Sequence, residues 1–263
     1  QRDYFIREVI RMCRNKYILS KWEMDTLDEL VAQEKERIYK EEGMKKSVLV
    51  CATGDQPPLI RMKCLLAATT VCEYFRDQGK DVMLMFDSVT RFAHAQREIA
   101  LAAGEPPAER GYPPSVFELI PKLLERSGTS QKGSITAFYT VLVDGDDMDE
   151  PIADKVRGTL DGHIVLSKKL ASAYHYPAID ILNSVSRLSN RVSGATTKQA
   201  CAKMRTLMSI YAKSEELIEV GAYESGNNPD TDLAVELHPQ IEEFLIQEEM
   251  ENSSLKETLD KLS

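Results

Sequence analysis

Asp87 closes an unbroken apolar run, Val82 to Phe86, and is followed directly by Ser88. A carboxylate at the C-terminal end of a buried strand lies where open α/β sheets bind ligands, and nucleotide hydrolases place their magnesium-holding aspartate there. The plainer alternative is that the Asp-Ser pair caps the next helix by accepting its free N–H groups. Both readings require the same strand, turn and helix. A second candidate, GTSQKGS (128–134), has the composition of a phosphate-cradling loop. Its lysine precedes the glycine and it follows a helix, whereas a phosphate loop carries Lys after Gly and follows a strand, so a turn is expected. Metal chemistry through sulfur or imidazole is poorly provided for. The cysteines at 13, 51, 64, 72 and 201 form no CxxC or Cys/His cluster, and the histidines at 94, 163, 175 and 238 are scattered. Three of the cysteines (51, 64 and 72) fall in apolar segments and are expected to pack as small hydrophobes.

The elements that must position Asp87 can be traced along the chain. SVLVCAT (47–53) is expected to be a buried strand, IRMKCLLAATTVCEYFRDQGK (60–80) a helix stopped by Gly79, and DVMLMFD a second strand buried on both faces. A helix to about Ala103, a Pro/Gly loop (104–114), a helix through Leu124 and a strand SITAFYTVLV (134–143) follow. An acidic loop (144–151) and a strand HIVLS (163–167) complete the alternation, which argues for a parallel sheet covered by helices on both faces. Beyond Arg191 the pattern is helical throughout. Met204, Leu207, Met208 and Tyr211 share one face of a helix over 196–223, and HPQIEEFLIQEEMEN reads as a last, acidic helix. Residues 1–46 are also expected to be helical, with capping boxes at Ser20–Glu23 and Thr26–Glu29. The expected division is 1–46, 47–194 and 195–263.

A chain of 263 residues, 43% hydrophobic, is long enough for one large core with smaller attachments. No run of 18 apolar residues occurs and the first 16 residues are too charged for a signal peptide, so a cytoplasmic protein is expected. The net charge of −9 is uneven: residues 214–263 hold 14 acids and two lysines, a local −12. That acidity argues against nucleic acid as a partner. The basic run Arg2, Arg7, Arg11, Arg14, Lys16, Lys21 is either a solvated helix face or a surface for an acidic partner.

Three long segments read together carry a resemblance: residues 83–128, residues 141–171 (VLVDGDDMDEPIADKVRGTLDGHIVLSKKLA) and residues 175–192 (HYPAIDILNSVSRLSNRV). From about Glu41 to Phe244 the chain resembles the flagellar and type III secretion export ATPases, relatives of the catalytic subunits of rotary ATP synthases. The resemblance implies a RecA-like parallel sheet with helices on both faces and a C-terminal all-helical domain. It also implies ATP and Mg2+ as ligands and a hexameric ring, homo-oligomeric or mixed. ATP hydrolysis would be coupled to protein export at an inner-membrane gate, with stalk, stator and gate proteins, chaperones and export substrates as partners.

Carried over residue by residue, Asp87 matches the aspartate that holds magnesium through its water shell. Tyr176 matches the tyrosine that packs on adenine, and Arg187 the arginine finger that reaches the γ-phosphate on the neighbouring subunit. Each has a plainer alternative: an aromatic at a strand end for Tyr176, an internal ion pair for Arg187. The family's GxxxxGK[ST] motif and the glutamate of its GERGRE-like segment do not occur in these 263 residues; the positions before SVLV read QRDYFIREVIRM and DTLDELVAQEKERIYK instead. Hydrolysis by this chain alone is therefore expected to be defective. Two other readings stand beside a motor ATPase. One is a non-hydrolysing subunit that lends Arg187 to its neighbours; the other is an adaptor whose basic N-terminal helices bind an acidic coiled coil.

Overall fold

The computed structural model describes residues 47–248 and 251–262, and the helices and capping boxes expected within residues 1–46 lie outside these. By packing, the described chain forms two compact units that meet at Leu160 and Asp161.

In the first unit, helix α1 (Pro58–Asp77) opens on prolines, whose fixed φ suits the first helical turn, and gives way to Gly79 at φ +81°. Strand β1 (Asp81–Phe86) follows, then α2 (Val89–Ala102) and α3 (Pro114–Leu124). The short β2 (Gly128–Thr129) turns into β3 (Ser134–Tyr139), and α4 (Pro151–Thr159) ends the unit. The sheet order is β1-β3-β2. β1 and β3 run parallel in the register Asp81 to Ser134 through Phe86 to Tyr139, whereas β2 pairs antiparallel with β3.

The core lies between this sheet and the helices. Leu84 and Phe86 of β1, Ile135 of β3, Phe92 of α2, Val116, Ile120 and Leu123 of α3, and Ile152 and Val156 of α4 are all buried in one cluster. Burying each of the larger side chains stabilises the fold by about 1.5–3 kcal/mol. Cys64 and Cys72 are buried as expected, and loss of solvation pushes each thiol up to about 11, so both are inert at neutral pH.

Two expectations need correction. SVLVCAT (47–53) is not a strand: it lies outside the described ladder and its side chains are mostly half-buried. An apolar run becomes a strand only where a neighbour completes its hydrogen bonds, and composition does not reveal the neighbour. Nor is β1 buried on both faces. Val82, Leu84 and Phe86 face the core, but on the other face Met83 is 47% exposed and Met85 half-buried.

The second unit begins with β4 (Gly162–Leu166), α5 (Lys168–Ser172) and β5 (Ile179–Ser186). A five-residue helix is too short to return the chain for parallel pairing, and β5 pairs antiparallel with β4. After the short α6 (Ser189–Val192) come the long helices α7 (Ala195–Glu219) and α8 (Pro229–Leu245), then α9 (Leu255–Leu262). Asn228 caps α8 by accepting from the amides of Asp230 and Thr231, and Asp230 and Asp232 in its first turn suit the positive end of the helix dipole. Leu207 of α7 and Ala234 of α8 are buried, and the rings of Tyr211 and His238 stack at 3.5 Å. No described helix is long and apolar enough to cross a membrane.

Candidate functional site

Asp87 stands where β1 ends, and the plainer reading of its neighbour is correct: Ser88 is the cap of α2, its hydroxyl accepting from the Arg91 amide at 3.2 Å. Ser88 is buried and Asp87 exposed, so the two divide the work. Serine terminates the strand and starts the helix, and the aspartate is left pointing outward. Its orientation comes from the neighbouring strand. Thr140, just past β3, donates its hydroxyl to Asp87 Oδ1 at 3.0 Å, and its amide donates to the Phe86 carbonyl at 3.0 Å. The Val89 amide returns a bond to the Thr140 carbonyl at 2.9 Å. Thr90 extends the seam: its hydroxyl donates to the Leu142 carbonyl at 3.2 Å and accepts from the Leu142 amide at 2.8 Å. The junction is thus stitched on both sides of the carboxylate.

Magnesium takes near-octahedral oxygen ligands, keeps several waters, and usually binds through one or two carboxylates together with substrate phosphates. Asp87 suits that mode: it is exposed, and one of its oxygens is fixed by Thr140. An all-protein cage does not fit, since no group of three or more His, Cys, Asp or Glu converges among the described residues.

The Pro/Gly loop beside α2 is held by bonds that no short motif announces. Arg110, at φ +45°, binds Asp147 of the acidic loop at 2.7 Å. Tyr112 is buried; its hydroxyl meets His94 Nε2 at 3.0 Å and Arg97 lies over its ring at 5.3 Å. Burial pushes the Tyr112 phenol above its ordinary value, so the ring stays neutral. Glu105 accepts from the Ser115 amide at 2.9 Å and closes the loop at the start of α3. The GTSQKGS segment is the expected turn: the Ser130 amide donates to the Gly133 carbonyl at 2.8 Å, and Gly133 sits against the backbone of Arg76 and Lys80.

Tyr176 and Arg187 belong to the second unit and flank opposite ends of β5, which pair with Leu166 and Gly162 of β4, about 13 Å apart along that strand. The structure therefore does not bring these two together. Tyr176 is 40% exposed, and its ring meets that of Tyr174 edge-on at 6.1 Å. Its loop is tied to the end of α8. The Gln247 amide donates to the Tyr176 carbonyl at 2.8 Å, and the buried His175 lies with Nδ1 3.3 Å from the Pro177 carbonyl and Nε2 3.4 Å from Glu242 Oε2. Arg187 follows β5 directly; its amide donates to the Asp161 carbonyl at 2.8 Å and its side chain is exposed. Thr140, Glu242 and Gln247 were not legible as site residues, because each acts on a partner far away in sequence.

Comparison with known proteins bears on this arrangement. The family model described as ATP synthase alpha/beta family, nucleotide-binding domain, matches residues 23–186, and that described as T3SS EscN ATPase C-terminal domain matches residues 194–263. The flagellum-specific ATP synthase of Treponema pallidum is 56% identical over 84% of this chain and 50% of its own length. The SPI-2 type 3 secretion system ATPase of Salmonella typhimurium is 51% identical over 84% of this chain and 51% of its own. The chain thus spans about half the length of the curated relatives it matches. Among solved structures, the assembled ATPase EscN of the enteropathogenic E. coli type III secretion system superposes with a TM-score of 0.84 at 46% identity, over 88% of this chain and 56% of that one. EscN in complex with its central stalk EscO superposes with a TM-score of 0.79 at 43% identity, over 96% of this chain and 57% of that one. The fold is accordingly the RecA-like one with a C-terminal helical part, and family members use nucleotide and Mg2+. With a nucleotide-binding family model spanning more than half of its residues, the chain, similar to flagellum-specific and type III secretion ATPases, belongs to the ATP synthase alpha/beta family.

Proposed function

We propose that this chain is part of an ATP-hydrolysing motor subunit of a flagellar or type III export apparatus. Residues 47–194 form its nucleotide-handling part and residues 195–263 its helical part. The observation that carries the reading is Asp87, exposed at the end of a parallel strand with one carboxylate oxygen fixed by Thr140. Catalysis of phosphoryl transfer is mostly positioning and charge stabilisation, and a carboxylate held by Thr140 beyond the adjoining strand β3 meets the first need. In this reading Asp87 accepts hydrogen bonds from the water shell of magnesium. The metal, when bound, neutralises charge on the phosphate oxygens.

Tyr176 offers an exposed aromatic face to adenine, on a loop braced by Gln247 and His175. Arg187 projects from the far end of the same strand and serves the γ-phosphate bound by the adjacent subunit; its guanidinium stays charged and grips phosphate oxygens in a fork. The partners in this reading are further copies or complete family members in a hexameric ring, and stalk, stator and gate proteins. Chaperones and export substrates join them at the cytoplasmic side of the inner membrane.

A second reading rests on Arg187 itself. Its side chain stands exposed just past β5, which suits a subunit that acts on a nucleotide held by a neighbour. Calorimetric titration of the chain with magnesium-ATP tests nucleotide binding directly. Weak or undetectable binding is expected of these 263 residues alone. Micromolar affinity would contradict that expectation and show that another loop cradles the phosphates.

A further inference from the structure

β5 is not a regular strand. Gly162 pairs with Ser186 and His163 with Val185, but Val165 pairs with Asp180 where a continuous ladder would bring Asn183, so three extra residues bulge out of β5. The bulge ends at Ser184, three positions before Arg187. Bulges of this kind re-aim the residues that follow them and are common beside functional sites.

A bulge takes backbone groups out of the ladder, and each must find another partner. Most do so within the hairpin. The Asn183 amide donates to Asp180 Oδ1 at 3.0 Å, His163 Nε2 meets the Asn183 carbonyl at 3.1 Å, and the Ser184 hydroxyl donates to the Asp180 carbonyl at 2.5 Å while accepting from the Val165 amide at 2.9 Å. Two carbonyls at the crown are served from elsewhere. Arg205, on α7, donates through Nη1 to the Ile181 carbonyl at 2.6 Å and through Nη2 to the Leu182 carbonyl at 3.1 Å, and both nitrogens also approach the Ser184 carbonyl, at 3.4 and 3.5 Å. A planar fork with fixed donor directions can hold adjacent carbonyls at once, which a lysine ammonium cannot do in one geometry.

We propose that Arg205 is a positioning residue for Arg187: it locks the β5 bulge to α7 and so sets the direction in which the strand delivers the finger. This rests on the reading of Arg187 as acting on a neighbouring subunit's nucleotide. The arrangement gives the helical part of the chain a direct hold on the strand that carries the finger. A shift of α7 along its axis is passed to Arg187 through the bulge, without any contact between Arg205 and nucleotide.

The test uses the full chain with Arg205→Met and Arg205→Lys. Hydrogen exchange is read at the amides of Asn183 and Arg187, which donate to Asp180 and Asp161. In parallel, each chain is mixed with a complete family ATPase whose own finger is mutated, and phosphate release is measured against ATP concentration. Exchange at both amides should rise at least tenfold in Arg205→Met and less in Arg205→Lys. The turnover rescued by the chain should fall about 10²-fold, as expected for a misplacement of about 1 Å, with KM unchanged. Unchanged exchange in Arg205→Met overturns the inference whatever Arg187 does. Faster exchange with full rescue by Arg205→Met, where Arg187→Ala gives none, overturns it as well. Faster exchange with rescue unaffected by either Arg187→Ala or Arg205→Met keeps the bulge lock and instead refutes the role given to Arg187.

Discussion

Replacing Gly133 with alanine should destabilise the first unit by about 1–2.5 kcal/mol. A Cβ built on Gly133 falls 2.4 Å from the Lys80 carbonyl oxygen and 2.6 Å from that of Arg76, whereas ordinary contact begins near 3.4 Å. The turn must therefore retreat by close to 1 Å from the end of α1. Both obstacles are backbone, so no side chain can rotate away, and the cost lies toward the upper part of the ~1–3 kcal/mol typical of overpacking. Alanine also restricts the unfolded chain, which returns about 0.4–1 kcal/mol. In thermal unfolding the midpoint should drop by roughly 5–10 °C. Gly158 provides the internal control: it lies in α4 with nothing within 4 Å of a built Cβ, and Gly158→Ala should raise stability by up to ~1 kcal/mol. An unchanged or raised midpoint for Gly133→Ala would refute the packing of this turn against α1, and with it the reason for treating GTSQKGS as a structural turn.

Two further outcomes follow from named contacts. Arg126 grips Glu73 through two bonds of 2.8 and 2.6 Å, with each side chain about a quarter exposed, and the hydrogen bond from Arg126 holds the Glu73 carboxyl below its ordinary value of 4.5. Its folded pKa being depressed, the pair contributes fully above pH 4.5 and loses its contribution as pH falls through the folded value. Glu73→Gln should therefore cost about 1–2 kcal/mol at pH 7 and flatten the acid side of the stability profile, read by urea midpoints from pH 7 to 3; parallel profiles would count against it. At the other unit, Glu242→Ala removes the carboxylate facing His175, and proteolysis or hydrogen exchange should report a looser Tyr174–Pro177 loop with little change at α7. A loop as protected as in the natural chain would show that the Gln247 amide alone holds it.

The long elements were legible because their signals are local. Prolines at the start of α1, Gly79 after it, Ser88 before α2 and the apolar stripe of α7 each act within a few residues, and the helices appear close to where those signals place them. Strand pairing is not local. IDILNSVS carries Asp180 and Asn183, residues that favour turns, and its bulge is completed by a helix more than 20 residues away, so neither β5 nor Arg205 stood out. SVLVCAT failed in the opposite way, having a strand's composition without a place in the described ladder. At the candidate site, Asp87 was visible because the apolar run, the acid and the helix-capping Ser88 adjoin in sequence. Thr140, which orients it from 53 residues away, carries no signal of its own.

The central claim is that Arg187 acts on a nucleotide held by an adjacent subunit, and mixed-assembly turnover tests it most directly. This chain is combined with a complete family ATPase whose own finger is mutated, and phosphate release is followed. The natural chain should restore turnover and Arg187→Ala should not, with a difference of ~10³-fold or more at the rescued interface, the usual cost of losing a catalytic finger. Equal rates from the two chains, together with a lower melting temperature for Arg187→Ala, would contradict the claim and leave Arg187 as a structural residue of its own subunit.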